Sequence, residues 1–283
     1  MKKFITCLLC LGLLAGCGGN ANDLSNDNST SSESNQIKDA NDGISIDEQV
    51  IFDQDGIVVT VKGLEFNNDP ELLYSIENNS NQDIIFKTEN VVVNGFTDIV
   101  DSSRNVSMNK KINGELKFIS YTLNRADIKV IKEISFDLKI LDSDSEELYE
   151  TQTITLTTNG SESYIQEVND SGNVVVDANG IKIIEQGLNE KGNAIMLYIE
   201  NQSGKNIMVE SRDDKANGSD CSGILIVPVV NGTKAVSEMT CFSSEYLDGI
   251  EKIDTYEHRF HIYNIEEISE TILDSEIITY NFE

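Results

Sequence analysis

The feature that most constrains the fold of this chain is an internal repeat. Short motifs built from turn and strand residues return in the same order after 123 or 124 positions. The paired segments are 53–57 with 177–181, 76–80 with 199–203, 84–86 with 207–209, and 94–95 with 217–218. A drift of one position is what a loop insertion or deletion in a duplicated domain produces. We therefore predict two copies of one folding unit; chance similarity between Asn- and Ile-rich stretches is the alternative.

Within each copy the residue pattern predicts short β-strands. In copy one, Ile57 to Val61 are all β-branched and lie between the turn signals Asp55-Gly56 and Gly63. From Ile134 to Ile140 apolar residues alternate with polar ones, which is typical of a half-buried strand. Each copy therefore contains several short strands bounded by turns.

Several short strands in copies of roughly 110 residues predict an all-β fold with one immunoglobulin-like β-sandwich per copy. A unit of that size can bury close to two-thirds of its chain surface and fold alone. The chain has no Trp, so neither sandwich has the buried-Trp core of antibody domains. Two segments, 123–130 and 246–253, have Ile residues at the spacing of one helical turn and are predicted to be short helices.

The N-terminus has the pattern of an export signal. Lys2 and Lys3 precede an apolar run, Phe4 to Leu14, which is shorter than the roughly 20 residues that cross a bilayer. The run ends in Leu14-Ala15-Gly16-Cys17, which resembles the bacterial lipobox. That resemblance implies cleavage before Cys17 and attachment of lipid, with acyl chains such as palmitate, to its thiol. The alternative is an ordinary secretory signal with an incidental cysteine.

The chain is predicted to have four parts. These are a signal peptide at 1–16, a lipidated N-terminus and flexible tether at 17–45, a first sandwich at 46–160 and a second at 170–283. Between Gly18 and Gln36 the only sizeable apolar residue is Leu24. Such a segment cannot bury enough surface to offset the entropy of ordering it. We expect it to hold the folded copies away from the membrane.

The repeated motifs resemble those of a known group of bacterial surface proteins. The motifs are Asp-x-(Asp/Asn)-Gly-Ile, Ile-Glu-Asn-x-Ser and the segment from Ile134 to Asp144. Together they resemble Ig-like repeats in surface lipoproteins of Firmicutes, particularly clostridia. The resemblance implies a lipid-anchored sandwich that faces the cell wall, and it implies no functional residue beyond Cys17. Copy two departs from the pattern with His258 in place of Phe136 and with an extra cysteine pair.

Charge excludes one class of partner, and the cysteines predict one disulfide. With 49 Asp and Glu against 21 Lys and Arg, the formal net charge is −28. Nucleic acid needs clustered basic residues, so we predict no nucleic-acid partner and a membrane contact made only through the lipid. Cys7 and Cys10 lie in the signal, which leaves Cys221 and Cys241 as a pair. Outside the cell such a pair forms a disulfide; two free thiols are the alternative.

The sequence carries no catalytic or metal-binding motif. His258 and His261 are three residues apart in a predicted strand, which places them on opposite faces. His258 is in phase with the apolar residues and is predicted to be packed, whereas His261 is predicted to be solvated. The acidic segments 53–56 and 142–147 lack the ligand spacing of a calcium loop and are predicted to be hairpin turns. We therefore predict no metal and no cofactor.

These observations favour a non-enzymatic surface lipoprotein on the extracellular face of the cell membrane. The tandem sandwiches would act as a binding or spacer module, with a cell-wall component or a host protein as ligand. The alternative is a cell-wall-active enzyme or a thiol-redox protein that uses Cys221, Cys241 and His258.

Overall fold

The computed structural model describes residues 40–67, 69–160, 162, 164–242 and 252–282, and nearly all of their regular structure is β-strand. The signal sequence, Cys17 and the tether up to residue 39 lie outside the described residues. Most of the second predicted helix, 246–253, lies outside them as well. No helix within the described part of the chain has the length and apolar character needed to cross a membrane.

Copy one folds as two facing sheets. Its elements are β1 Gln49–Gln54, β2 Ile57–Phe66, β3 Pro70–Asn78, β4 Ile84–Val93, β5 Phe96–Thr97, β6 Ser102–Val106, β7 Lys110–Lys117, α1 Ser120–Arg125, β8 Glu133–Leu141 and β9 Gln152–Thr157. A four-stranded sheet has the order β1-β2-β3-β7, and facing it β4 pairs with β5, β6 and β8, and β8 with β9. Residues from both sheets, such as Val59 and Phe86, share one buried cluster.

Copy two repeats this arrangement with added short strands. Its elements are β10 Asn173–Ala178, β11 Ile181–Leu188, β12 Ala194–Asn201, β13 Ile207–Ala216, β14 Ser219–Asp220, β15 Ser222–Ile224, β16 Ile226–Val229, β17 Lys234–Phe242, β18 Thr255–Asn264, β19 Thr271–Asp274 and β20 Ile278–Asn281. One sheet has the order β10-β11-β12-β17, with β15 also paired to β17, and the other is built around β13 and β18. The predicted all-β sandwich class is therefore confirmed.

The repeat seen in the sequence is also present in the backbone geometry. Asn94 and Asn217 both have a φ of 51° and begin Asn-Gly turns. The side chain of each accepts hydrogen bonds from two backbone N–H groups at the start of the next long strand, β8 or β18. Asn78 and Asn201 are both fully buried at the end of equivalent strands. The motifs recur because each Asn satisfies backbone groups that the fold leaves unpaired at that point.

One sheet runs through both copies. Strand β17 of copy two pairs in parallel with β5 of copy one at Lys234 and Phe96, and this joins ten strands into a single sheet. The hydroxyl of Thr97 lies 2.8 Å from that of Thr233 and accepts the N–H of Val230 at 3.0 Å. Because these bonds are made by backbone and short side chains, they fix the position of one copy on the other.

Side chains beside this joint strengthen the contact between the copies. Arg125 at the end of α1 pairs with Glu238 at 2.6 Å, and both side chains are largely buried. The hydroxyl of Tyr121 donates to the same carboxylate at 2.8 Å. Ile184 and Tyr198 of copy two pack into the buried cluster of copy one. The two sandwiches therefore share apolar packing as well as a sheet.

The tether ends earlier than predicted. Residues 41–45 were assigned to it, but the Asn41 amide donates to the carbonyl of Lys129 at 2.7 Å and accepts the N–H of Ile131 at 3.0 Å. Asn41 is 2% exposed and Ile46 is buried in the core of copy one. The polar composition of this stretch hid the docking, because a buried Asn that satisfies two backbone groups needs no apolar neighbours in sequence.

The first helix was predicted over 123–130, but α1 spans Ser120–Arg125. Asp127 has a φ of 51°, which ends the helix. The N–H of Ile128 bonds to the carbonyl of Leu123 at 2.8 Å and that of Asp127 to Asn124 at 3.0 Å, which is a Schellman motif. The apolar spacing that predicted a helix instead reflects residues that are buried after the helix has ended.

Candidate binding site in the second copy

The two copies differ in polarity at four equivalent core positions. Strand pairing fixes the equivalence: Phe136 lies opposite Ile154 in copy one, and His258 lies opposite Ile278 in copy two. The apolar residues of copy one and their polar counterparts are Val91 and Asp214, Ile134 and Tyr256, Phe136 and His258, and Leu156 and Tyr280. All eight of these residues are buried. Since copy one completes the same fold with apolar side chains, the fold does not require the polar set.

A β-bulge places Asp214. Pairing of β13 with β18 shifts register between Arg212 and Lys215, and Asp213 takes a φ of 58°. A bulge re-aims the side chain that follows it. Asp214 is 8% exposed, and its carboxylate accepts the hydroxyl of Tyr256 at 2.8 Å. Burial raises the pKa of Asp214, and the hydrogen bond from Tyr256 acts in the opposite direction.

A short strap, residues 221–225, covers this carboxylate and is held by the predicted disulfide. Cys221 and Cys241 are joined, with their Cα atoms 5.9 Å apart. The strap includes β15, which pairs with the end of β17. The N–H of Cys221 bonds to the carbonyl of Asp214 at 3.0 Å. A Cβ on Gly223 would lie 2.2 Å from the Asp214 carboxyl carbon, so only glycine lets the strap pass this closely.

A cleft of 770 Å³ opens between the strap and the outer face of β13 and β18. Four carboxylates and two basic groups line it, and Arg259 pairs with Asp213. The charged lining residues are Asp213, Asp214, Lys215, Asp220, Glu257 and Arg259. Among the described residues no group of three or more His, Cys, Asp or Glu is placed to hold a metal. The cleft has the size of a small-ligand site and offers hydrogen-bond acceptors to hydroxyl or amino groups.

His258 lies on the inner face of β18, as the alternation predicts. It is fully buried, and its ring meets that of Phe260 at a centroid distance of 4.5 Å. Its Nε2 lies 3.3 Å from the hydroxyl of Tyr280. Burial lowers the pKa of His258 to about 4. The structure therefore brings Cys221 and Cys241 together as a disulfide and places His258 in the core.

His261 was predicted to be solvated, and this is wrong. It is 9% exposed, and its Nδ1 lies 2.6 Å from a carboxylate oxygen of Asp274. The reason is β19, an added strand that pairs with β18 directly at His261. The alternation of β18 gives the correct face for His261 but carries no information on what covers that face.

Protonation of His258 is expected to destabilise copy two in acid. Its pKa is lower in the folded state than the ordinary 6.5. The neutral ring therefore makes its whole contribution to the free energy of unfolding above pH 6.5, and this contribution is lost as the pH falls toward 4. By pH 5 the loss is about 2 kcal/mol. The double variant His258→Phe with Tyr280→Phe, which leaves no hydroxyl unpaired, should lack this loss. Urea unfolding at pH 8 and pH 5 measures the difference; equal pH dependence in both proteins would contradict the assignment.

The sequence did not single out Asp214. It stands in an acidic segment of a chain with 49 acids, where another Asp carries little information. A position-by-position comparison of the copies does contain the signal, because Val91 is the equivalent residue after the equivalent bulge. A buried apolar residue replaced by a carboxylate in a duplicated core is costly to the fold.

Comparisons with known proteins find only weak similarity to solved structures. No protein-family model matches the chain, and no curated protein matches it significantly. The solved YadV chaperone has a TM-score of 0.24 and 12% identity, and covers 75% of this chain and 92% of its own. The Salmonella enterica SafA pilin–SafB chaperone structure has a TM-score of 0.18 and 13% identity, covering 75% and 89%. Red sea bream transglutaminase has a TM-score of 0.23 and 8% identity, covering 83% and 31%. Likenesses of this size carry no argument about function.

Proposed function

We propose that this protein is a lipid-anchored, non-enzymatic binding module outside the cell. In it, copy one acts as a spacer and copy two holds the binding site. The observation that supports this division is the polar set around Asp214, which occurs beside the cleft of copy two, whereas the equivalent residues of copy one, Val91, Ile134, Phe136 and Leu156, are apolar. Polar groups kept in a core that does not need them are typical of a functional site.

The contact between the copies supports the spacer role. A parallel strand pair, the Arg125–Glu238 ion pair and shared apolar packing hold copy two at a fixed position on copy one. A ligand bound by copy two would thus be presented at a set distance from the tether.

The anchor rests on the lipobox-like residues, and one substitution tests it. Cys17→Ala should release the protein from the membrane fraction and abolish labelling by radioactive palmitate, while the folded copies remain intact. Retention of the variant in the membrane fraction would contradict the anchor.

Sedimentation with purified cell walls tests the site. We expect wild-type protein to pellet with the walls without lowering their turbidity. The double variant Asp214→Val with Tyr256→Phe, and separately Glu257→Gln, should bind at least tenfold more weakly. Glu65→Gln, an exposed acid of copy one, is the matched control and should bind normally. Falling turbidity would favour the wall-active enzyme, and equal binding by all variants would exclude this cleft.

A further inference from the structure

A second cleft lies between the copies, beside the β5–β17 joint. Its volume is 390 Å³, within the range of small-molecule sites. Both copies supply its walls, which are largely apolar. The apolar lining residues are Ile99 and Val100 from copy one and Met208, Pro228, Val230 and Ile265 from copy two. Clefts at domain interfaces that combine apolar walls with a few polar groups are favoured positions for ligands.

The charged groups of this interdomain cleft are acidic, and its neutral polar groups are Asn90 and Thr97. Glu89, Asp98 and Asp101 line it, and none of the Lys, Arg or His residues that the structure describes does. The lysines near Glu89, which are Lys87 and Lys139, neutralise that carboxylate from outside the cleft. Asp98 is 3% exposed and makes no ion pair among the described residues. Its oxygens accept the N–H groups of Ile99 at 2.8 Å and Ile119 at 3.2 Å and the hydroxyl of Thr122, all of which are neutral donors.

The charge of Asp98 is not required to hold the fold together. Asp98 is equivalent to Cys221, and its bond to Ile119 ties the segment after β5 to the end of β7. Copy two makes the same connection with the uncharged Cys221–Cys241 disulfide. Burial raises the pKa of Asp98 to about 6, so its charged form is under-stabilised in the free protein. A cation in the cleft would stabilise that form.

We infer that the interdomain cleft binds a small organic cation with an apolar body, such as an alkylammonium ion. The ammonium group would lie against Asp98 and Asp101, and the alkyl chain would lie along the walls. Charge complementarity and the apolar lining together select this class, because neither a neutral apolar ligand nor a bare metal ion satisfies both. This site is independent of the cleft in copy two.

Calorimetric titration of the full mature chain with n-hexylamine, n-hexanol and hexanoate tests the inference. We expect hexylamine to bind at least tenfold more tightly than hexanol, and hexanoate not to bind. Equal affinity for hexylamine and hexanol, or no binding of hexylamine, would overturn it. Tighter binding of a lysine-containing tripeptide than of hexylamine would assign the cleft to a peptide side chain and overturn the small-molecule proposal.

Two variants and a control locate the binding. Asp98→Asn should weaken hexylamine binding at least tenfold and leave hexanol unaffected. Met208→Lys places a competing ammonium group on the wall, from a half-buried position, and should have the same effect even if Asp98→Asn folds poorly. Glu257→Gln, in the cleft of copy two, should bind hexylamine normally. Normal binding by both Asp98→Asn and Met208→Lys would contradict the site, whatever the outcome with cell walls.

Discussion

Replacing Asn78 with alanine is expected to lower the free energy of unfolding by about 4 kcal/mol, the largest effect of any single substitution considered. The Asn78 amide donates to the carbonyls of Gln82 and Val106, both at 2.9 Å. Its oxygen accepts the N–H and hydroxyl of Ser80 at 3.1 and 2.6 Å. Alanine would remove the amide from the buried carbonyl of Val106 and the acceptor from the N–H and hydroxyl of Ser80, while the carbonyl of Gln82 keeps the Ser80 hydroxyl at 3.1 Å. Each buried group left unpaired costs about 1 to 3 kcal/mol.

The equivalent residue of copy two, Asn201, allows the same loss in the free energy of unfolding to be measured a second time. Asn201 donates to the carbonyls of Lys205 and Val229, both at 2.8 Å, and accepts from Ser203 at 3.0 and 2.7 Å. Asn201→Ala should therefore match Asn78→Ala in urea unfolding. Asn79→Ala, at the exposed next position, is the control and should stay within about 0.5 kcal/mol of wild type. A loss below about 1 kcal/mol in Asn78→Ala would show that water replaces the amide.

The parts of the fold that the sequence predicted well are those set by local chemistry. Asp55-Gly56 and Asn179-Gly180 combine two positive φ values in a two-residue hairpin, so these turns are evident from residue type. The alternation from Ile134 to Ile140 gives the correct faces of β8. Repetition of such signals was enough to predict two β-sandwiches.

Features that depend on contacts between distant segments were not predictable. The strand that joins the copies, β5, has two residues and meets β17 at one pair, Lys234 and Phe96. The sequence of two residues is too short to distinguish a strand that joins the copies from part of a turn. His261 is buried by β19, and Asp214 is buried by the strap, so both depend on segments that pack from elsewhere. Burial of a polar residue is a property of its neighbours.

Removing the disulfide by replacing Cys221 and Cys241 with alanine is expected to lower the free energy of unfolding by about 3 kcal/mol. The bond closes a loop with a sequence separation of 20, and the loss of that constraint raises the entropy of the unfolded chain. Urea unfolding of the double variant, compared with wild type in the presence and absence of reductant, measures the effect. Reduced wild type should resemble the double variant.

Amide hydrogen exchange in the same double variant tests whether the disulfide holds the strap, residues 221–225, over Asp214. Amide exchange should increase in the strap and around Asp214, since the disulfide holds Gly223 against that carboxylate. The equivalent region of copy one, where Asp98 ties the chain to Ile119 by a hydrogen bond, is the internal control and should keep its protection. Unchanged exchange at Asp214 would mean that β15 pairing alone holds the strap. In that case the cleft of copy two keeps its shape without the disulfide, and the cysteines serve stability alone.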